Sequence, residues 1–135
     1  VESVFLDLTD YSPTSGFPVV EEPPLYEMRT YTTAEGKLEN LDARFRDHTV
    51  GLFTKHGITN MPYFHLSDGQ DGAGNTLLYF ISADSEEARD ASFKAFAEDP
   101  EWKAAREASQ KAGRLLVKNG VKSLYLKTTD YSPIK

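Results

Sequence analysis

The chain has no cysteine, and this absence excludes several kinds of site. Without a thiol, its 135 residues can form no disulfide, no thiolate metal centre and no cysteine nucleophile. Long apolar runs are also missing, because none approaches the ~18–20 residues that span a bilayer. Positive charge is scarce: 15 Lys and Arg against 21 Asp and Glu give a net charge of −6. That balance argues against a protein that binds nucleic acid through its phosphate backbone.

The residues that are present describe a soluble globular protein, with 39% hydrophobic and 27% charged side chains. We expect one ordinary domain. The cytoplasm is the default compartment, and a mitochondrial or exported location of a parent protein stays open. The first residue is Val rather than Met, which indicates a processed chain or a piece of a larger protein.

One stretch of sequence occurs twice. Val1–Pro13 (VESVFLDLTDYSP) aligns with Val121–Pro133 (VKSLYLKTTDYSP), and eight of the thirteen positions are identical. We interpret residues 1–13 as the last strand of a preceding repeat unit, 14–24 as a Pro-rich linker and 25–135 as a complete domain that ends in the same strand. A strand separated from its own sheet keeps an unpaired edge. We therefore expect it to dock on a sheet edge of this domain or of a dimer mate.

Beyond the linker, the hydrophobic pattern alternates between strand and helix. In chain order, strands are predicted at 25–32, 58–66, 77–82 and 121–128. Helices are predicted at 37–56, ended by Gly57, and at 85–111, with Ser85 as the N-cap. The second helix should break at Asp99-Pro100, where Asp99 caps a new helix that begins at Pro100. Pro62 lacks a ladder N–H, so its strand should be an edge strand or contain a bulge. Asn119-Gly120 predicts a turn before the last strand. The order β-α-β-β-α-β predicts an α+β, ferredoxin-like fold: four antiparallel strands with the helices on one face.

Several motifs together resemble the NIPSNAP family, and the resemblance extends from residue 25 to residue 133. The motifs are YEMRTYT (26–32), RFRDHTVGLFTKHG (44–57), ARDASFKAF (88–96), DPEWKAAREAS (99–109) and the terminal TDYSP. The resemblance implies a dimeric α+β barrel, in which two ferredoxin-like sheets pack face to face with the helices outside. Such a barrel is a homodimer or, in a tandem-domain member, an intramolecular pseudo-dimer with a preceding homologous domain. The extra N-terminal strand departs from the single-domain pattern.

The first candidate site residues lie on the predicted first helix and second strand. His48 lies near the edge of the helix's apolar stripe, where it would face a pocket between helix and sheet. There it would act as a general base or a haem ligand. Alternatively, it would only form a hydrogen bond with a backbone carbonyl or a tyrosine. Tyr63 and His65 alternate with Met61 on one strand face. That face would line a cavity for a small hydrophobic ligand or form a dimer interface, where Met and aromatic residues are enriched.

A second candidate group lies on the predicted first strand. Arg29 and Tyr31 share a face with Glu27, and a charged pair on a central strand is unexpected if that face is buried. Arg29 would bind an acidic ligand, or it would form an ion pair between neighbouring strands or across a dimer. The histidines do not have metal-site spacing, so no metal site is predicted.

Two functions follow from these observations. With no catalytic constellation visible, and with most NIPSNAP members lacking an assigned reaction, the first is a non-enzymatic binding or interaction module. The alternative comes from the resemblance, because the dimeric α+β barrel superfamily includes cofactor-free monooxygenases and haem-binding or haem-degrading enzymes. The residues themselves indicate no cofactor, and haem enters only through that resemblance.

Overall fold

The computed structural model describes residues 3–17 and 24–127, in which five strands form one antiparallel sheet. The strands are β1 (Leu6–Leu8), β2 (Leu25–Thr33), β3 (Thr59–Leu66), β4 (Thr76–Ala83) and β5 (Leu116–Leu126). Their spatial order is β1-β3-β4-β2-β5. Part of the predicted linker (18–23) and the end of the C-terminal repeat copy (128–133) lie outside the described residues, as do residues 1–2.

Strands β2 to β5 have the predicted ferredoxin-like arrangement, so the α+β fold class is confirmed. The extra strand β1 lies at the edge of β3, where Leu6, Asp7 and Leu8 pair antiparallel with Leu66, His65 and Phe64. Docking of the N-terminal strand on a sheet edge is therefore confirmed, and the sheet belongs to its own chain. The paired strand, Leu6–Leu8, is much shorter than the predicted 1–13.

The first helical region combines α1 (Leu38–Arg44), a π-helical turn (Phe45–Thr49) and α2 (Val50–Lys55). The prediction treats residues 37–56 as one regular helix and therefore misses the π turn, which shifts the angular positions of the residues after it. Gly57, with φ of 82°, ends the region as predicted.

The second helical region breaks where the sequence predicts, into α3 (Glu86–Glu98) and α4 (Pro100–Ser109). The hydroxyl of Ser85 accepts a hydrogen bond from the N–H of Ala88 at 3.1 Å, which caps α3. The carboxylate of Asp99 accepts one from the N–H of Glu101 at 2.8 Å, which caps α4. With Pro100 in its first turn, α4 begins as predicted.

The predicted turn at Asn119-Gly120 is wrong, because both residues lie inside β5. The register between β2 and β5 shifts between Tyr31 and Thr33, and Asn119 has a positive φ of 58° there. A side chain at Gly120 would place its Cβ 2.7 Å from the carbonyl oxygen of Thr32. The turn chemistry in the sequence therefore marks a bulge. The predicted bulge near Pro62 is confirmed, since the register of β3 on β4 shifts between residues 60 and 63.

One face of the sheet is covered by the helices and forms the core. Its side chains are mostly aromatic: Tyr63 and Tyr79 stack at 4.7 Å, and Phe45 contacts both rings. From the helices, Leu41, Leu52, Phe53 and Phe96 complete this core. Since aromatic side chains bury the most area per residue, they supply much of its stabilisation.

The opposite face, which we call the open sheet face, carries apolar side chains that no helix covers among the described residues. Paired residues on it include Leu8 with Phe64, Phe64 with Leu78, and Met28 with both Phe80 and Leu124. Leu124 is 53% exposed and Leu8 46% exposed. Phe17, near the start of the linker, lies on this face and packs on the rings of Tyr26 and Phe80 at 5.8 and 5.1 Å.

Candidate functional site

Arg29 and Tyr31 belong to a hydrogen-bonded network between the sheet and α3. The guanidinium of Arg29 donates to Glu27 at 2.9 Å, to the Tyr79 hydroxyl at 2.8 Å and to the Tyr31 hydroxyl at 3.1 Å. Although burial opposes it, these neighbours raise the pKa of Arg29. Within the chain, the ion pair of Arg29 runs along its own strand to Glu27 and not to a neighbouring strand.

Glu27 is the anion at the centre of this network. It is 1% exposed and accepts hydrogen bonds from Arg29, from both Nε and Nη2 of Arg89 on α3, and from the hydroxyl of Ser123 on β5. Burial alone would raise the pKa of Glu27, but hydrogen bonds from Arg89, Ser123 and Arg29 hold it below its ordinary value. The donors are engaged within the protein, so the network joins β2, β4, β5 and α3 structurally.

Tyr63 is fully buried on the same helix-facing side. Its ring stacks on Tyr79, and its hydroxyl donates to Oδ1 of Asn60. Burial raises the pKa of Tyr63 well above its ordinary value. The predicted cavity or dimer face at Tyr63 is thus filled by the chain's own helices.

His65 lies beside Tyr63 on β3, but its imidazole points to α1 at the edge of the sheet. Its Nε2 is 2.8 Å from Oδ2 of Asp42, a carboxylate that is 2% exposed. This hydrogen bond raises the pKa of His65. The same carboxylate accepts a hydrogen bond at 2.7 Å from the hydroxyl of Tyr11 in the N-terminal segment.

His48 is exposed on the outer side of the π turn, which differs from the predicted place between helix and sheet. It lines a shallow groove of about 340 Å³ between the first helical region and α4. The predicted apolar stripe assumes the constant angle of a regular helix between successive residues. The π turn changes that angle, so the prediction misplaces His48. The five predicted site residues therefore occupy three separate places: the helix–sheet interior, the edge of β3 and the outer surface.

These positions do not fit a haem site. An axial ligand needs a free imidazole nitrogen directed into a cavity that can hold the macrocycle. Nε2 of His65 is engaged by Asp42, and His48 faces outward. Within residues 3–17 and 24–127, no group of three His, Asp or Glu side chains could hold a metal ion. The helices described there include none long and apolar enough to cross a membrane.

The most extensive set of specific contacts surrounds the N-terminal segment Phe5–Ser12, which we call the docked segment. Its backbone continues the sheet beyond β1: the N–H of Thr9 donates to the carbonyl of Tyr63 at 2.9 Å. At the other end of the segment, the side-chain amide of Gln70 accepts a hydrogen bond from the N–H of Phe5 and donates one to the carbonyl of Phe5, both at 2.8 Å. The segment therefore adds to the sheet edge by backbone pairing.

Side chains at the end of the docked segment are bound individually. Arg46 donates to both carboxylate oxygens of Asp10, at 3.0 and 3.2 Å, and its guanidinium lies 5.5 Å from the ring of Tyr11. The Tyr11 ring packs against Tyr63 at 5.7 Å. Ser12 accepts from the N–H of Tyr63 at 2.9 Å. Three consecutive side chains of the TDYSP motif thus have defined partners.

Sequence reasoning missed the residues that receive this segment. Asp42 and Arg46 lie on the first helical region, where an acidic or basic residue is usually a solvated surface group, and Gln70 lies in a loop. The available signal was in the segment itself, because the TDYSP motif occurs twice. The repeated side chains are the ones that find partners.

Comparison with known proteins agrees with this geometry. The model of the NIPSNAP family matches residues 26–133. An uncharacterised NIPSNAP domain protein from Burkholderia xenovorans is 24% identical, with a TM-score of 0.64 over 81% of this chain and 98% of its own. A NIPSNAP family protein of unknown function from Agrobacterium tumefaciens is 18% identical, with a TM-score of 0.68 over 87% and 99%. Another from the same organism is 18% identical, with a TM-score of 0.69 over 84% and 100%.

The search of curated proteins found no match. At these low identities the solved structures support the fold alone, and it is the ferredoxin-like α+β fold described above. The family match covers most of the chain, including every strand and helix after the linker. The chain belongs to the NIPSNAP family.

Proposed function

We propose that this chain is a non-enzymatic interaction module whose partner is a second unit of the same kind, either another copy or a preceding homologous domain. The observation that carries the proposal is the docked segment. Its contacting side chains, Asp10, Tyr11 and Ser12, recur as Asp130, Tyr131 and Ser132. A groove that binds the first copy has the chemistry to bind the second.

The second copy cannot use the groove of its own sheet while that groove is filled. β5, which contains the first six residues of the second copy, lies at the edge opposite β1, four strand spacings or roughly 19 Å across the sheet. The groove at β3 is occupied by residues 5–12. A second unit with a vacant β3 edge is therefore the fitting acceptor, and the apolar open sheet face offers a further contact area.

A labelled peptide of residues 121–135 tests the proposal against two forms of the full chain. Tyr11→Ala removes the hydrogen bond to Asp42 and the ring contact with Tyr63. The substitution therefore weakens the binding of the docked segment in its own groove. We expect the peptide to bind this variant saturably in fluorescence anisotropy, and to bind the wild-type chain more weakly because its groove is filled. A matched peptide with Asp130→Ala and Tyr131→Phe should lose at least about tenfold in affinity.

Equal binding of both peptides to the folded Tyr11→Ala chain would contradict the proposal, and so would no binding of either. A peptide of residues 3–17 serves as the positive control, because it reproduces the sequence already seen in the groove. Turnover of a quinol that disappears in His48→Ala would instead favour an enzyme.

A further inference from the structure

Arg44, the last residue of α1, is a buried cation without a counter-ion. It is 7% exposed, and its Nε has no hydrogen-bond partner. Its Nη1 donates to the hydroxyl of Ser109 at 3.2 Å, and its guanidinium lies over the ring of Trp102 at 5.0 Å. No carboxylate of the described residues is within ion-pair distance of it, whereas Arg29, Arg46 and Arg89 each have one.

A buried guanidinium in this state is costly, because burial removes the water that would otherwise solvate its charge. That burial lowers the pKa of Arg44, and the like charge of Arg106 lowers it further. The π turn begins at the next residue and widens the helix where this side chain leaves it. π turns often occur at functional sites. An anion in contact with this guanidinium would neutralise its charge.

Arg44 lines a cavity of about 120 Å³, and two more arginines line the same cavity. Its lining residues are Arg44, Arg106, Gln110, Arg114, Leu115 and Leu116. No acidic residue is among them, although the chain as a whole carries a net charge of −6. Among the residues that the structure describes, Arg106 and Arg114 have no carboxylate partner either. Three guanidinium groups at one small cavity match the planar, paired donors that bind phosphate oxygens.

A larger cavity of about 570 Å³ adjoins the first and shares Arg106 and Gln110 with it. It is an open groove along the exposed side of α4, lined by Trp102 together with Lys103, Lys111 and the acidic Glu107. The small cavity has room for a compact anion, and the larger one has the size of a small-molecule site. The pair therefore suits a ligand with an anionic head and an organic body.

We propose that the cavity at Arg44, Arg106 and Arg114 binds the phosphate group of a small phosphate ester, whose organic part lies against Trp102 in the adjoining cavity. The site lies on the α4 side of α1, away from the groove of the docked segment. It goes beyond the interaction function and does not depend on it.

Trp102 is the only tryptophan of the chain and lies at the site, so its fluorescence reports binding directly. The wild-type chain is titrated with inorganic phosphate and with phenyl phosphate at constant ionic strength, with chloride as the reference salt. Both phosphates should give saturable changes, with phenyl phosphate binding more tightly. Arg44→Met should weaken both by about tenfold or more, because it removes a charge-assisted hydrogen bond. Lys94→Gln, which removes a cation from the exposed side of α3 and lines neither cavity, should leave both unchanged.

A response to phosphate that does not saturate, or that is equal in wild type and Arg44→Met, would overturn the proposal. Saturable binding of benzoate without binding of either phosphate would overturn it in favour of a carboxylate site. Near-UV circular dichroism establishes that Arg44→Met is folded. If that variant unfolds, Arg114→Gln decides alone, since Arg114 is exposed: several-fold weaker phosphate binding supports the site, and unchanged binding refutes it.

Discussion

Glu27 is the residue on which the polar network of the interior depends. It is a buried carboxylate on the central strand β2, bonded by side chains from its own strand, from α3 and from β5. Replacing a whole buried ion pair by apolar groups is often tolerated, but removing one partner leaves an uncompensated buried charge. At this site two arginines would lose their common anion.

Glu27→Gln should lower the free energy of unfolding by about 3–5 kcal/mol, because Arg29 and Arg89 would keep their charge without a carboxylate. Urea unfolding followed by circular dichroism measures this difference. The control is Glu39→Gln, whose exposed side chain lies 3.4 Å from Arg46 and should contribute no more than about 1 kcal/mol. Similar losses in the two variants would mean that the network does not stabilise the interior.

His65 makes stability depend on pH. Its pKa in the folded chain is raised above 6.5 by the Asp42 carboxylate. The stabilisation from the protonated imidazole is therefore complete below that ordinary value and is lost as the pH rises through the raised one. The stability difference between wild type and His65→Gln should thus be larger at about pH 5.5 than at about pH 8.5.

Urea unfolding at the two pH values checks this expectation, and His48→Gln provides a matched control at an exposed histidine. A difference that grows toward pH 8.5 would have the wrong sign. It would show that the imidazole is bound in its neutral form.

At the scale of elements, the sequence identifies turn-forming residues but does not specify whether they form a turn or a bulge. Asn119-Gly120 has the composition of a hairpin turn, yet it forms a bulge inside β5. The caps at Ser85 and Asp99 were predictable because a cap depends on residues within one turn of the helix. A bulge depends on which residue of the neighbouring strand lies opposite, and that register is a long-range property.

Gly120→Ala should lower the free energy of unfolding by about 1–3 kcal/mol, since its Cβ would meet the carbonyl oxygens of Thr32 and Val117 at 2.7 and 2.8 Å. Gly51→Ala is the contrasting variant, because Gly51 is exposed in α2 and an added Cβ has no neighbour within 4 Å. That change should raise stability by about 0.5–1 kcal/mol. Thermal unfolding of both variants measures the contrast, and equal shifts would be incompatible with the bulge.

At the scale of the whole molecule, the open sheet face predicts self-association. Leu8 and Leu124 are exposed on it, and they extend an apolar surface that includes Phe64, Leu78 and Met28. Contiguous apolar surfaces of this kind are usually covered by a partner. A second copy packed on this face would form the barrel expected of two such sheets.

Light scattering at tens of micromolar should therefore give a particle of twice the 15.1 kDa chain mass. Leu124→Glu should return it to the mass of a single chain, because a carboxylate buried in an apolar interface is strongly unfavourable. Lys94→Glu adds the same side chain on the exposed side of α3 and should have no effect. A wild-type particle of single-chain mass would show that the face is not a dimer interface under these conditions.

The sequence by itself determined the order of strands and helices, the helix caps, the repeated TDYSP segment and the family. These features are encoded locally, in periodicity and in motifs a few residues long. Only the tertiary structure decided that Tyr11 bonds Asp42, that Arg29 bonds Tyr79 and that Arg44 is buried beside Trp102. Those pairs join residues 31, 50 and 58 positions apart. Which side chains meet across such separations depends on strand register and helix packing, and no local pattern specifies either.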